Sequence, residues 1–284
     1  MSKSSSHANE PLVINESNLS RAWATVFLHI VDRSGSEISP LVLSLSGFDP
    51  EGRLSETTSV RDALDQVLTR KCKISVENVA HTIFPERLWR IAGRDRARLF
   101  QLYKGVYPRY VAMNRRANGR GLYFERLTMF RDDVPCDGNQ LEWILSQFKS
   151  RSGIRDSMFQ AAVFDPARDH IKAARVGFPC LQHVSFVPTG DGLVMNAFYA
   201  TQYVFDKAYG NYLGLAQLGA FMAGEMGLLL ARLNVTVGVA KLDGISKSDM
   251  SLLPLVAAAR AALSAPSIVP TQPAGALVAA GAPS

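Results

Sequence analysis

The stretch from Asn211 to Leu230 constrains the fold more than any other. Its residues are apolar or small on every face, with few exceptions. A helix that is apolar all round lies in a large core or spans a membrane. Gln217, Glu225 and several glycines interrupt this run, and its flanks lack a cationic anchor pattern. The reading is therefore a buried core helix over 211–230. At 284 residues the chain is long enough to enclose such a helix within one large domain.

The remaining elements are read from periodicity. Leu193 to Phe205 and Phe178 to Val187 are apolar strand patterns joined by Thr189-Gly190-Asp191-Gly192, a specific hairpin signal. Cys180 follows a proline and stands at the head of the first of these strands. Leu41 to Leu45 alternates as a strand, and Met158 to Phe164 is an apolar strand closed by Asp165-Pro166. Residues 58–70 carry Val60, Leu64, Val67 and Leu68 at helical spacing. Residues 77–92 read as a second helix ending at Gly93, Asp95 to Tyr103 as a third and 139–149 as a short one. The apolar run 20–31 ends in a turn at Asp32 to Ser36, and the basic, Gly-containing stretch 112–121 reads as a loop. Helices and strands alternate without a regular βαβ beat, which points to the α+β class. Residues 1–18 are polar and read as a flexible segment. Residues 266–284 are rich in Pro, Ala and Gly and read as a flexible tail, leaving one domain over 19–265.

Charge and cysteine usage narrow the function classes. The net charge is +6, which suits anionic ligands. The arginines between Arg87 and Arg126 come without any nucleic-acid module pattern, so a nucleic-acid partner is not expected. Cys72, Cys136 and Cys180 are far apart, with neither metal-site spacing nor a disulfide framework, so the expectation is no metal and a reducing cytoplasm. Met1 to His7 has no apolar core, so no signal peptide and no membrane association are expected.

Several short motifs occur in one order along the chain. Asp32-Arg33-Ser34-Gly35-Ser36 is similar to the Asp-Arg-Thr-Gly-Thr phosphate turn of the thymidylate synthase family. Glu86 to Gly93 resembles that family's Glu-Leu-Leu-Trp-Phe-Leu-x-Gly, which begins with the catalytic glutamate. Val106 to Tyr110 falls where the family has Ile-Trp-Asp-x-Trp beside the folate. Asn139 to Lys149 resembles the helix before the paired arginines, and Arg155-Asp156 falls on that pair. Phe178-Pro179-Cys180 falls on Pro-Pro-Cys-His, and Asn211 to Ala223 on the Asn-Ile-Ala-Ser-Tyr-Ala-Leu-Leu helix, with no gap between Cys180 and Ala223.

The resemblance implies a thymidylate synthase-like fold, with a mixed sheet packed by helices and a sheet face at a homodimer interface. It implies C5 one-carbon transfer, methyl or hydroxymethyl, to a uracil-containing pyrimidine nucleotide, with 5,10-methylenetetrahydrofolate as donor. Cys180 would be the nucleophile that adds to C6, because only a thiolate attacks there. Asn211 would read the ring edge and donate to the oxygen on which charge builds. Glu86 would move protons. Arg33, Arg155, Thr201 and Gln182 would bind substrate, and Tyr107 and Tyr110 would stack on the donor's ring. Taken singly, the bland roles stand beside these: a small core cysteine, an N-capping asparagine, a solvent-facing glutamate.

The chain also departs from the family's pattern. The arginine that touches phosphate and sulfur falls on Ala200, the Asp beside the pyrimidine on Tyr203, and the His after the cysteine on Leu181. Asp156 replaces the second arginine of the pair, and no likeness remains after Asp243. The groups for ring chemistry are kept and those for sugar and phosphate are not. One explanation is an enzyme with a changed substrate, in which His183, Lys207 or Gln182 replaces the missing cation and a wetter site favours a hydroxymethyl product. The other is a catalytically degenerate member that binds a nucleotide or acts as a dimeric scaffold.

Overall fold

A computed structural model describes residues 10–150, 153–172 and 177–266. The chain opens with β1 (Leu12–Glu16), α1 (Leu19–Asp32), β2 (Glu37–Ile38) and β3 (Leu41–Ser46). A helical stretch follows, with α2 (Thr58–Arg70), α3 (Val76–His81), α4 (Glu86–Ile91), α5 (Arg96–Met113), α6 (Arg115–Asn118), α7 (Tyr123–Thr128) and α8 (Gln140–Ser150). Then come β4 (Gln160–Ala162), α9 (Pro166–Asp169), β5 (Leu181–Thr189) and β6 (Gly192–Tyr203). A π-helical turn (Val204–Ala208) leads into α10 (Tyr209–Glu225), followed by β7 (Leu230–Lys241) and α11 (Leu253–Ser264).

The strands form one seven-stranded mixed sheet in the order β1-β3-β7-β6-β5-β4, with β2 also paired to β7. β1 with β3 and β6 with β7 are parallel; the other pairs are antiparallel. Helices pack this sheet, so the class is α+β. Leu41, Leu43 and Leu45 of β3, Met195 and Tyr199 of β6, and Leu233, Val235 and Val237 of β7 are fully buried. Each buried Leu, Val or Met contributes about 1.5–3 kcal/mol relative to exposure. Trp23 of α1 ties the helical layer to the end of β6: its ring stacks on Phe27, and its indole N–H donates to the Val204 carbonyl at 2.9 Å. No helix among the described residues is long and apolar enough to cross a membrane.

The other sheet face carries rows of side chains that run across the strands in register. One row is Val13, Val42, Thr236, Phe198 and His183. The next is Asn15, Ser44, Asn234, Asn196 and Ser185. Ser44, Asn234, Asn196 and Ser185 are linked by hydrogen bonds of 2.8, 2.9 and 3.1 Å, and Arg232 donates to Ser44 at 2.7 Å. Val13 and Phe198 are 67% and 43% exposed.

Four elements differ from the sequence reading. The long apolar helix stops at Glu225, because Gly227 has φ +71° and closes a C-terminal motif. The Leu228 N–H reaches the Ala223 carbonyl at 2.8 Å, and the Gly227 N–H reaches Gly224 at 3.0 Å. Leu230 then starts β7, a central strand to which the sequence reading gave no element. The single helix expected over 77–92 is two helices, α3 and α4, with Pro85 at the break. Proline disfavours helix at the residue before it and lacks a donor of its own. The helix expected over 95–103 runs on to Met113, and a short helix (α6) forms within the stretch read as a loop. Finally, the segment read as flexible through residue 18 contains β1, whose Ile14 joins the core and whose backbone pairs with β3. Residues 1–9 and 267–284 of the two expected flexible ends lie outside the described residues.

Candidate functional site

Two glycines place Asn211. A Cβ on Gly210 would lie 2.5 Å from Val79 Cβ, and one on Gly214 would lie 2.7 Å from the Ala80 carbonyl. α10 therefore lies closer to α3 than any side chain at these positions permits. Asn211, one residue after Gly210, is 4% exposed. Cys180 is placed by a turn that ends where β5 begins. Its carbonyl accepts from the Ala200 N–H at 3.0 Å. The Gln182 side-chain amide donates to the Pro179 carbonyl and, at 3.4 Å, to the Cys180 carbonyl.

Cys180 and Asn211 line one cavity of about 230 Å³, together with Gln202, Tyr203, Lys207 and Tyr123. Burial pushes the Cys180 thiol above its ordinary value, and the Lys207 ammonium works against that rise. Burial likewise lowers Lys207, opposed by Asp206 and by Cys180. Asp206 is engaged by Lys73 at 3.4 Å, and among the described residues Lys207 has no hydrogen bond or ion pair. It lines the cavity without a paired carboxylate, though Asp206 still acts on it at longer range. Arg126 also lines the cavity, with four of its five N–H donors engaged. It grips both oxygens of Asp169 at 2.7 Å and donates to the Val163 and Arg120 carbonyls at 2.8 Å each.

An adjoining cavity of about 480 Å³ shares Ile74, Thr82, Asn118 and Leu122 with the first. Glu86 and Tyr110 line it. Burial raises the Glu86 carboxyl, and Arg90, at 3.7 Å, and Arg94 pull it back. Tyr110 packs edge-on against His81 with ring centroids 5.2 Å apart. Glu86 also borders a third cavity of about 610 Å³ on its far side, so it stands between two recesses. Tyr107 is not on the wall of the Glu86–Tyr110 cavity; it packs on Tyr103 with ring centroids 5.9 Å apart.

The residues expected to bind substrate lie outside the Cys180 cavity. Arg33 is exposed at the end of α1. The turn around it holds a cation: the Lys247 ammonium takes the carbonyls of Ile30, Arg33 and Gly35. Arg155 is exposed and precedes a short 3-10 turn. Gln182 is engaged in holding the Pro179-Cys180 turn. Thr201 is displaced by its neighbour: burial along β6 passes from Tyr199 to Gln202 without the regular two-residue step, so Gln202 reaches the cavity and Thr201 does not. His183 lies in the row of the open face, opposite Phe198.

The structure thus brings Cys180 and Asn211 to one cavity, with Glu86 and Tyr110 in the next, and adds Lys207, Gln202 and Tyr123. Lys207 is visible in the sequence only as a cation near the site. Gln202 carries no sequence signal, since its burial depends on how the end of β6 meets α10. No protein-family model matches this chain, and no curated protein is similar to it.

Proposed function

We propose that the Cys180 cavity binds the uracil-type ring of a pyrimidine nucleotide and that the protein transfers a one-carbon unit to its C5. The carrying observation is the shared cavity: a cysteine, an asparagine whose side chain has no hydrogen-bond partner among the described residues, and a lysine with no ion pair among them line one small recess. The Cys180 proton leaves to bulk water, and Lys207 holds the thiolate that remains. Sγ bonds to C6, and the electron pair of the C5–C6 double bond moves onto the C4 oxygen, where Asn211 donates. C5, made nucleophilic by this addition, would bond to the incoming carbon; its proton would then leave through water toward Glu86, whose carboxyl is raised by burial, and the electron pair left at C5 would expel Sγ. Loss of Sγ from C6 restores the ring and frees the thiolate.

The flat, largely apolar recess around Tyr110 fits a folate donor. Tyr110, Leu88 and Met113 would hold its ring system. When bound, 5,10-methylenetetrahydrofolate would supply one carbon at the formaldehyde level to C5. Water would complete a hydroxymethyl group there, and a hydride from the donor would complete a methyl group. The open sheet face, with Val13 and Phe198 exposed on it, is the surface on which a second copy would form a homodimer.

The competing reading is a nucleotide-binding protein without turnover. It is favoured by the thiol's upward shift and by the position of Arg33 and Arg155 away from the cavity. Label release separates the two. Uracil and cytosine nucleotides (dUMP, UMP, dCMP and CMP) carrying tritium at C5 are incubated with wild type and Cys180→Ala, with and without methylenetetrahydrofolate. Tritium passing to water only with wild type and a uracil nucleotide is the expected result. No release from any of the four overturns the enzymatic reading.

A further inference from the structure

Gln202 is 1% exposed, lies on the wall of the Cys180 cavity, and its Nε2 has no hydrogen-bond partner. A buried amide donor without a partner is costly, because it gives up its hydrogen bond to water and gains none in return. Its other end is fixed. The hydroxyl of Tyr212, itself fully buried, donates to Gln202 Oε1 at 2.7 Å. Turning the amide over would let Nε2 donate to the Tyr212 oxygen but leave the hydroxyl proton and Oε1 unmatched, so the arrangement with Nε2 as the one unpartnered group is the better matched of the two. Asn211 differs, because among the described residues none holds its amide in one orientation.

We infer that Gln202 is a specificity residue of the Cys180 cavity, locked by Tyr212 so that Nε2 donates to a carbonyl oxygen of the bound ring. This rests on the reading of the cavity as a ring site and adds its selection rule. A ring edge bearing an oxygen satisfies Nε2. A ring edge bearing an amino group places donor against donor and leaves both groups buried and unmatched. Sites built this way reject the mismatched analogue far more strongly than apolar pockets reject an extra methylene. The ligand class is therefore a keto-form ring such as uracil, and a cytosine ring is excluded when its amino group meets Gln202.

Protection of Cys180 from alkylation tests this directly. Iodoacetamide labelling of Cys180 is followed by mass spectrometry in the full-length protein, with UMP and CMP as probes. In wild type, UMP is expected to protect at concentrations at least tenfold below CMP. Gln202→Glu replaces the donor with acceptors and should raise the protecting UMP concentration at least tenfold. Tyr212→Phe removes one hydroxyl and frees the amide to turn; it should keep UMP protection and shrink the preference over CMP. The Tyr212→Phe arm decides the matter if Gln202→Glu does not fold, as judged by melting. Unchanged UMP protection in a folded Gln202→Glu protein, or an undiminished preference in Tyr212→Phe, overturns the inference. Tritium release that is indifferent to Gln202 overturns it alone. Gln202-dependent protection without tritium release supports it and overturns the chemistry instead. If neither nucleotide protects wild type, both fall.

Discussion

The Arg126 guanidinium meets both carboxylate oxygens of Asp169 at 2.7 Å, and the two side chains are 1% and 0% exposed. The pair ties α7, beside the cavity, to α9. A buried pair adds little net stability over an apolar pair of equal shape, but breaking one partner leaves a naked charge. Asp169→Ala should therefore destabilise the fold by about 3–5 kcal/mol, read from urea unfolding. Burial raises the Asp169 carboxyl, but Arg126 and the Asp165 N–H outweigh this, so it sits below its ordinary value. A depressed carboxylate contributes stability that is present above its unfolded pKa of about 3.9 and is lost as pH falls through the folded value. Wild type should accordingly lose stability below roughly pH 4, and Asp169→Asn should show a flatter pH dependence there. Equal slopes for the two proteins would assign the acid sensitivity to other carboxylates.

Lys207 is expected to act on Cys180 through charge alone. Removing the ammonium leaves burial unopposed, so the thiol rises further. In Lys207→Met the alkylation rate of Cys180 should follow a pH profile displaced upward, with a rate at pH 7 roughly three- to tenfold lower. Lys207→Arg keeps the charge and should stay near wild type. A purely structural role for Lys207 would change the melting temperature and leave the midpoint of the profile in place.

The close approach of α10 to α3 carries a prediction of opposite sign to helix propensity. On an ordinary helix, Gly→Ala stabilises by about 1 kcal/mol. At Gly214 the added methyl would lie 2.7 Å from the Ala80 carbonyl, which belongs to backbone and has little room to move. Gly214→Ala should destabilise by about 1–3 kcal/mol. It should also push Asn211 away from Val79 and Thr82, weakening nucleotide protection of Cys180 by more than the stability change explains. A stabilised Gly214→Ala protein would show that the two helices can part without cost.

What was legible in the sequence follows from how local each signal is. α2 was readable because only one of its faces is buried, so its periodicity stands out. The hairpin between β5 and β6 was readable from its turn residues. β7 was not, because an apolar helix runs into an apolar strand and only Gly227 marks the change. Cys180 and Asn211 were singled out only by the family resemblance, and the fold puts them on one cavity. Arg33 misled, since its turn has the residues of an anion site while Lys247, remote in sequence, holds the turn's carbonyls. Gln202 was invisible because its burial is decided by the irregular end of β6 and its orientation by Tyr212, on the next element.

The open sheet face gives the last prediction. Thr236, Phe198 and His183 lie side by side across β7, β6 and β5, and the hydrogen-bonded Ser44–Asn234–Asn196–Ser185 row lies beside them. The proposed homodimer would use this face, where apolar side chains lie beside polar ones on the sheet. Phe198 is 43% exposed, so a charge placed there costs the monomer little while setting like charges together across a two-fold axis. Phe198→Asp should leave the melting profile of the monomer nearly unchanged and shift the mass measured by light scattering from that of two chains to that of one. Wild type running as a single chain at micromolar concentration would remove the dimer from the proposal. A dimer that survives Phe198→Asp would move the interface to another surface.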